Sequence, residues 1–128
     1  MPLQRFDLVT GRTSSELKAL LDATQRAVVA AFHVPPSDRY QVVHQHAQDE
    51  LVVEDTGLGI SRTEKIVLLS LTSRPREESA KIDFYQRLCK ELEICGVQPD
   101  DVVVSISSNG DADWSFGQGR AQYLTGEL

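Results

Sequence analysis

The feature that most constrains the fold is an internal repetition of strand, helix and strand. Val34, Pro36 and Asp38 recur as Val97, Pro99 and Asp101 at a constant offset of 63. Residues 1–63 and 64–128 then read as two copies of one unit within a single domain. In the first copy, Leu3 to Val9 alternates as a half-buried strand does. Thr13-Ser14-Ser15-Glu16 has the form of a capping box, in which the Thr13 hydroxyl and the Glu16 carboxylate each satisfy an orphan backbone N–H. Leu17, Leu20, Leu21, Thr24, Val28 and Ala31 follow at helical spacing, and Val34-Pro35-Pro36-Ser37-Asp38 turns the chain into a strand over Tyr40 to His46. In the second copy, Lys65 to Ser73 is a near-continuous apolar run, the pattern of a strand buried on both faces. Glu77 to Cys95 reads as a helix with Ile82, Tyr85, Leu88, Leu92 and Cys95 on one stripe and Gly96 just past its end. Asp101 to Ser107 closes the unit.

Two tandem β-α-β units predict an α/β (α+β) fold, with a four-stranded sheet and both helices on one face. One helical layer leaves the opposite sheet face needing cover. That favours a homo-oligomer whose sheets enclose a shared core.

Composition excludes several classes. The chain has 128 residues, 13 basic and 19 acidic, for a net charge of −6. No basic stripe suggests nucleic acid as a partner. The longest apolar runs, such as Ile66-Val67-Leu68-Leu69, are far too short to span a bilayer. No apolar stretch follows the N-terminal charges, so no signal peptide is read and the expected location is cytoplasmic. Cys89 and Cys95 are six apart on a predicted helix, unsuited to a CxxC motif, and read as reduced packing residues. His44 and His46 share a face at i and i+2, but no third ligand stands at a useful spacing, so no metal is expected. Asp49, Glu50, Glu54 and Asp55 read as a solvated acidic loop. Gly57-Leu58-Gly59 lacks the GK[ST] ending of a phosphate loop and reads as a turn.

Two features suggest chemistry. Removal of Met1 would leave Pro2 with a free secondary amine, and terminal amines titrate at roughly 7.7–8.0. The repeat offset carries Pro2 onto Lys65, inside the chain, so only the first copy can present such an amine. Arg74-Pro75-Arg76 puts two fixed cations at i and i+2, on one side of an extended segment. A titratable amine and a paired guanidinium clamp together suit a small carboxylate substrate. Taken singly, each of these residues has a plainer reading. Asp38 is a turn residue after Pro-Pro-Ser, the arginines a solvated pair, and Trp114 and Phe116 core. The functional reading rests on their conjunction.

Pro2-Leu3, the doubled β-α-β order, Asp38-Arg39-Tyr40, Ser73-Arg74-Pro75-Arg76 and Asp111-Ala112-Asp113-Trp114-Ser115-Phe116-Gly117 together resemble the tautomerase superfamily over essentially the whole chain. Within it they most resemble the malonate semialdehyde decarboxylase group. The resemblance implies a homotrimer, no cofactor and a catalytic amino-terminal proline matching Pro2. It further implies that Asp38, Arg74 and Arg76 complete the catalytic set. Arg74, Arg76, Trp114, Phe116 and Tyr123 would contact the substrate, with Tyr123 adding a hydroxyl to the aromatic wall.

The implied reaction is loss of carbon dioxide from malonate semialdehyde, with a hydratase side activity on acetylenic acids. Protonated Pro2 would donate to the aldehyde oxygen, or neutral Pro2 would form an iminium ion; the sequence leaves both open. The arginines would lower the amine's pKa and Asp38 would raise it. One arginine would hold the carboxylate and the other aid the carbonyl, in an order the sequence does not give. The alternatives are a keto–enol tautomerase of phenylpyruvate-like acids, using neutral Pro2 as base, and a non-catalytic trimeric ligand-binding protein on the same scaffold.

Overall fold

Each half of the chain folds largely as its patterning dictates. In the computed structural model, which describes residues 2–128, the elements are β1 (Leu3–Val9), α1 (Ser14–Phe32), β2 (Tyr40–His46), β3 (Val67–Ser73), α2 (Glu78–Ile94), β4 (Val102–Ser108) and a short α3 (Gln122–Thr125). The strands form one sheet in the order β2-β1-β3-β4. Each β-α-β unit pairs its own strands in parallel, and the two first strands meet antiparallel at the centre.

The capping box predicted for α1 forms. The Glu16 N–H donates to Thr13 Oγ1 at 3.1 Å, and the Thr13 N–H donates to Glu16 Oε1 at 2.9 Å. These bonds, with the nearby Lys65 and Arg12 charges, hold the Glu16 carboxyl below its ordinary pKa. α2 ends at Gly96, whose φ of 83° is one that side chains with a Cβ resist. The Gly96 N–H bonds Glu93 O and the Val97 N–H bonds Leu92 O, both at 3.0 Å, which satisfies two orphan carbonyls of the last turn.

Phe6 and Leu8 of β1, Leu69 and Leu71 of β3, Val28 of α1 and Phe84 and Leu88 of α2 meet in one core. The Phe32 and Phe84 rings pack 5.1 Å apart where the helices touch. Three expectations are corrected here. β3 starts at Val67 rather than Lys65, and it is buried on one face only, since Ser70 is exposed. Within the single chain the helices cover one side of the sheet, so the apolar run overstates the burial that one chain supplies. The buried stripe of α2 is Phe84, Leu88 and Leu92. Ile82 is 55% exposed and Tyr85 38% exposed, because the i, i+4 row through Phe84 is the one aimed at the sheet.

The sheet face away from the helices carries Arg5 and Asp7 on β1, Ser70 and Thr72 on β3, and His46 on β2. His46 Nε2 lies 2.7 Å from Asp7 Oδ1. No cluster of His, Cys, Asp and Glu suited to a metal occurs among the described residues. Cys89 and Cys95 are free thiols. Gly57-Leu58-Gly59 is a turn tied by Asp55, which accepts from the Leu58 and Gly59 N–H groups at 3.1 and 2.8 Å. Asp101, 1% exposed, accepts from the Thr63 N–H at 2.7 Å and pins the inter-unit loop to β4. No helix among the described residues is long and apolar enough to cross a membrane.

Candidate active site

Sheet topology alone gathers the predicted residues at one end. β1 and β2 are parallel and β3 is antiparallel to β1, so the starts of β1 and β2 lie beside the end of β3. Leu3 pairs with Tyr40 and with Thr72. Pro2 directly precedes Leu3, at this same end of the sheet, and is buried. Residue 1 lies outside the described residues, and so does the expectation that Met1 is removed.

A cleft of about 670 Å³ opens at this end. Asp38, Tyr40, Arg74, Arg76, Phe116 and Tyr123 are among its lining side chains, all from one chain; Pro2 is not among the residues that line it. Arg74, at a bend, and Arg76 lie in the short segment between β3 and α2. Arg74 Nε forms an ion pair with Asp111 Oδ1 at 2.7 Å, and its guanidinium carbon lies 4.3 Å from the centre of the Tyr123 ring. Arg76 is held by neutral groups. Its Nε donates to Ser73 Oγ and its Nη1 to Phe32 O, both at 3.1 Å, over the Phe32 ring at 5.0 Å. Burial lowers the Arg76 pKa, and the positive Arg74 lowers it further, while Tyr123 and Asp38 oppose. Among the described residues, no hydrogen bond occupies the terminal nitrogens of Arg74 or the Arg76 Nη2. The site can therefore offer fixed cationic donors to an acid.

The Asp38 loop is fixed from below by three glutamines. Gln41 Nε2 donates to Gln4 Oε1 at 2.8 Å, and Gln4 Nε2 donates to Gln25 Oε1 at 3.0 Å. Gln25 Nε2 donates to the Pro36 and Asp38 carbonyls at 3.2 and 3.0 Å. Gln4 is 0% exposed and Gln25 5% exposed, so this relay joins β1, α1 and the loop inside the protein. Sequence reasoning missed it, although a signal existed. Alternation puts Gln4 on the same inward face as Phe6 and Leu8, where an amide needs a partner.

The Asp111–Gly117 segment folds back over the cleft. The Asn109 N–H donates to Ser73 O at 2.9 Å, and Trp114 Nε1 donates to Asn109 Oδ1 at 2.7 Å. Gln122 accepts from the Phe116 N–H at 2.9 Å and donates to Gly117 O at 2.8 Å. Phe116 packs edge-on against Tyr123 at 5.4 Å. Trp114 stands differently from the expected wall. It does not line the cleft but stacks behind Phe116, with centroids 5.5 Å apart. Asp111 and Ser73 stand in the motifs that carry the resemblance, but their roles as polar supports, like that of Gln122, were missed in the sequence. A smaller hollow of about 320 Å³ along the inter-unit loop holds one arginine, Arg62, whose guanidinium is taken up by the Glu54 and Asp100 carbonyls. It lacks the donors for an acid.

Two family models described as tautomerase enzymes match this chain, over residues 38–117 and 2–60. A Bacillus subtilis (strain 168) protein named probable tautomerase YrdN is 54% identical over 129 residues, covering all of both chains. A crystal structure of malonate semialdehyde decarboxylase is 55% identical, with a TM-score of 0.97 over 98% of each chain. The FG41 malonate semialdehyde decarboxylase inhibited by 3-bromopropiolate is 35% identical, with a TM-score of 0.95 over 98% of this chain and 97% of that one.

Proposed function

The chain belongs to the tautomerase family, and from that premise we propose that it is a cofactor-independent decarboxylase of malonate semialdehyde, yielding acetaldehyde and carbon dioxide. The observation that carries the reading is the Arg74–Arg76 pair, in the same cleft as Asp38 and next to the start of β1, with no hydrogen bond among the described residues to the Arg74 terminal nitrogens or to Arg76 Nη2. The 55% identity to a malonate semialdehyde decarboxylase supports the choice of substrate.

In this reading Met1 is removed and the Pro2 nitrogen becomes an amine. The arginines hold the substrate carboxylate so that the bond to be broken stands perpendicular to the carbonyl plane. That bond's electron pair moves toward the aldehyde oxygen as carbon dioxide leaves. The protonated Pro2 amine donates to the oxygen, giving the enol, which ketonises to acetaldehyde by taking a proton at carbon and returning the hydroxyl proton to the amine. An iminium formed with neutral Pro2 would serve as the electron sink instead; the enamine left after carbon dioxide departs would take a proton at carbon, and water would then add to the regenerated iminium and release acetaldehyde and the amine. Asp38 keeps the amine charged or orients that water. Phe116 and Tyr123 exclude bulk solvent and favour release of neutral carbon dioxide, with Trp114 supporting them. The same electrophilic site would hydrate acetylenic acids. We further propose a cytoplasmic homotrimer, in which the sheet face left open by the helices meets other copies.

The test is a proton NMR time course with malonate semialdehyde, comparing the parent protein with Pro2→Ala after intact-mass measurement of the N-terminus. Acetaldehyde from the parent alone supports the reading. None from either protein, with Met1 shown to be absent, refutes it. The name of the Bacillus subtilis relative favours a second reading, keto–enol tautomerisation with neutral Pro2 as base. A phenylpyruvate assay on the same samples separates the two, and silence in both leaves the non-catalytic ligand-binding alternative.

A further inference from the structure

The two cleft arginines are electrostatically unequal, and the difference has a chemical use. Arg74 is paired to Asp111 at 2.7 Å, both side chains being a little over 40% exposed. Among the described residues, no carboxylate lies within ion-pair distance of Arg76, whose hydrogen-bond partners are a hydroxyl and a backbone carbonyl. Of the two guanidiniums, Arg74 therefore has a carboxylate in direct contact, whereas Asp38, in the same cleft, acts on Arg76 through space. From this, and resting on the decarboxylase reading above, we propose that Asp111 is a positioning residue that limits how tightly the cleft holds its substrate carboxylate, leaving Arg76 as the principal anion anchor.

The reason lies in the reaction. Decarboxylation destroys the negative charge that the arginines bind. An interaction stronger with the starting carboxylate than with the transition state raises affinity and slows chemistry. Two uncompensated guanidiniums would do that. Asp111 partly neutralises Arg74 while its ion pair, with the Tyr123 ring on the guanidinium face, keeps the side chain in place. Arg74 thus keeps its shape and donors with less net pull on an anion. Because the pair is half exposed, solvent screens it and the expected effects are modest.

The test separates this role from a structural one by its sign. Asp111→Asn keeps the size and removes the charge. It should lower KM for malonate semialdehyde and lower kcat with it. Binding of propanoate, a saturated acid that cannot react, should tighten by about three- to tenfold at low salt. The gain should shrink at about 0.2 M NaCl, where the Debye length is under about 10 Å. Asp111→Glu should stay within about twofold of the parent, and Asp111→Ser should shift the same way as Asn. Weaker or unchanged propanoate binding in Asp111→Asn and Asp111→Ser overturns the proposal, as does absence of propanoate binding in every variant. Because propanoate binding needs no turnover, tighter binding in a protein that releases no acetaldehyde sustains the electrostatic role and refutes the decarboxylase reading alone.

Discussion

Replacing Gln25 with leucine tests whether the glutamine relay holds the Asp38 loop. The substitution nearly preserves volume and removes three hydrogen bonds, one from Gln4 Nε2 and two to the Pro36 and Asp38 carbonyls. Each such bond contributes about 1 kcal/mol net. The loss is sharpest at Gln4, which is 0% exposed, so water cannot replace its partner. The two loop carbonyls are nearer solvent and cost less. With a small offset from the added apolar surface, Gln25→Leu should lose roughly 3 kcal/mol. For a chain of 128 residues that lowers Tm by roughly 10 °C. Urea and thermal unfolding at fixed protein concentration measure it. Activity assayed well below the variant's Tm should fall about tenfold, since the loop carrying Asp38 has lost its tether. Gln25→Glu adds a check with a sign. Facing two carbonyls in a buried site, the new carboxyl should titrate above its unfolded value of about 4.3. That variant should therefore be most stable below this value and lose stability as pH rises toward the folded pKa. A loss under about 1 kcal/mol for Gln25→Leu, with unchanged activity, would refute the reasoning.

Three further outcomes are expected. Asp38→Asn should cut acetaldehyde formation by roughly a hundredfold or more while leaving phenylpyruvate tautomerisation within a few-fold of the parent, and equal losses in both assays would sink the distinction. Glu16 is held below its ordinary pKa by the Thr13 cap bonds, so its stabilisation is present above the unfolded value and lost as pH falls through the folded one. Glu16→Gln should accordingly flatten the acid limb of stability in urea titrations between about pH 5 and pH 3. Leu88, 0% exposed under the sheet, should cost about 2–5 kcal/mol on replacement by alanine in urea unfolding, while Ile82→Ala on the exposed face should stay within about 0.5 kcal/mol.

Local signals carried most of the element boundaries. The Thr13–Glu16 capping box and the Gly96 helix end are readable because their energetics involve residues three to five apart, whatever the rest of the chain does. β1 and β2 are likewise found over Leu3–Val9 and Tyr40–His46 as their patterns predict. Burial was harder to read. The apolar run of β3 looked two-sided until the helices were seen to lie together on one face, and the α2 stripe turned on which row faces the sheet.

The candidate site divides the same way. Arg74-Pro75-Arg76, Asp38 and Pro2 stand out in the sequence only in conjunction and through its resemblance to a family, since each residue singly has a plainer reading. Their convergence is a product of strand order. Only the pairing of β1 with both β2 and β3 brings chain positions some 35 residues apart to one end of one sheet. The sequence by itself determined the helices, the turns and the inventory of charged donors, since short-range sterics and hydrogen bonding decide those. The tertiary structure decided that Arg74 forms an ion pair with Asp111 while Arg76 is held by neutral groups, that Trp114 stacks on Phe116, and that three glutamines meet beneath Asp38. Each of these depends on contacts between segments far apart in the chain, whose geometry exists only once the core has packed.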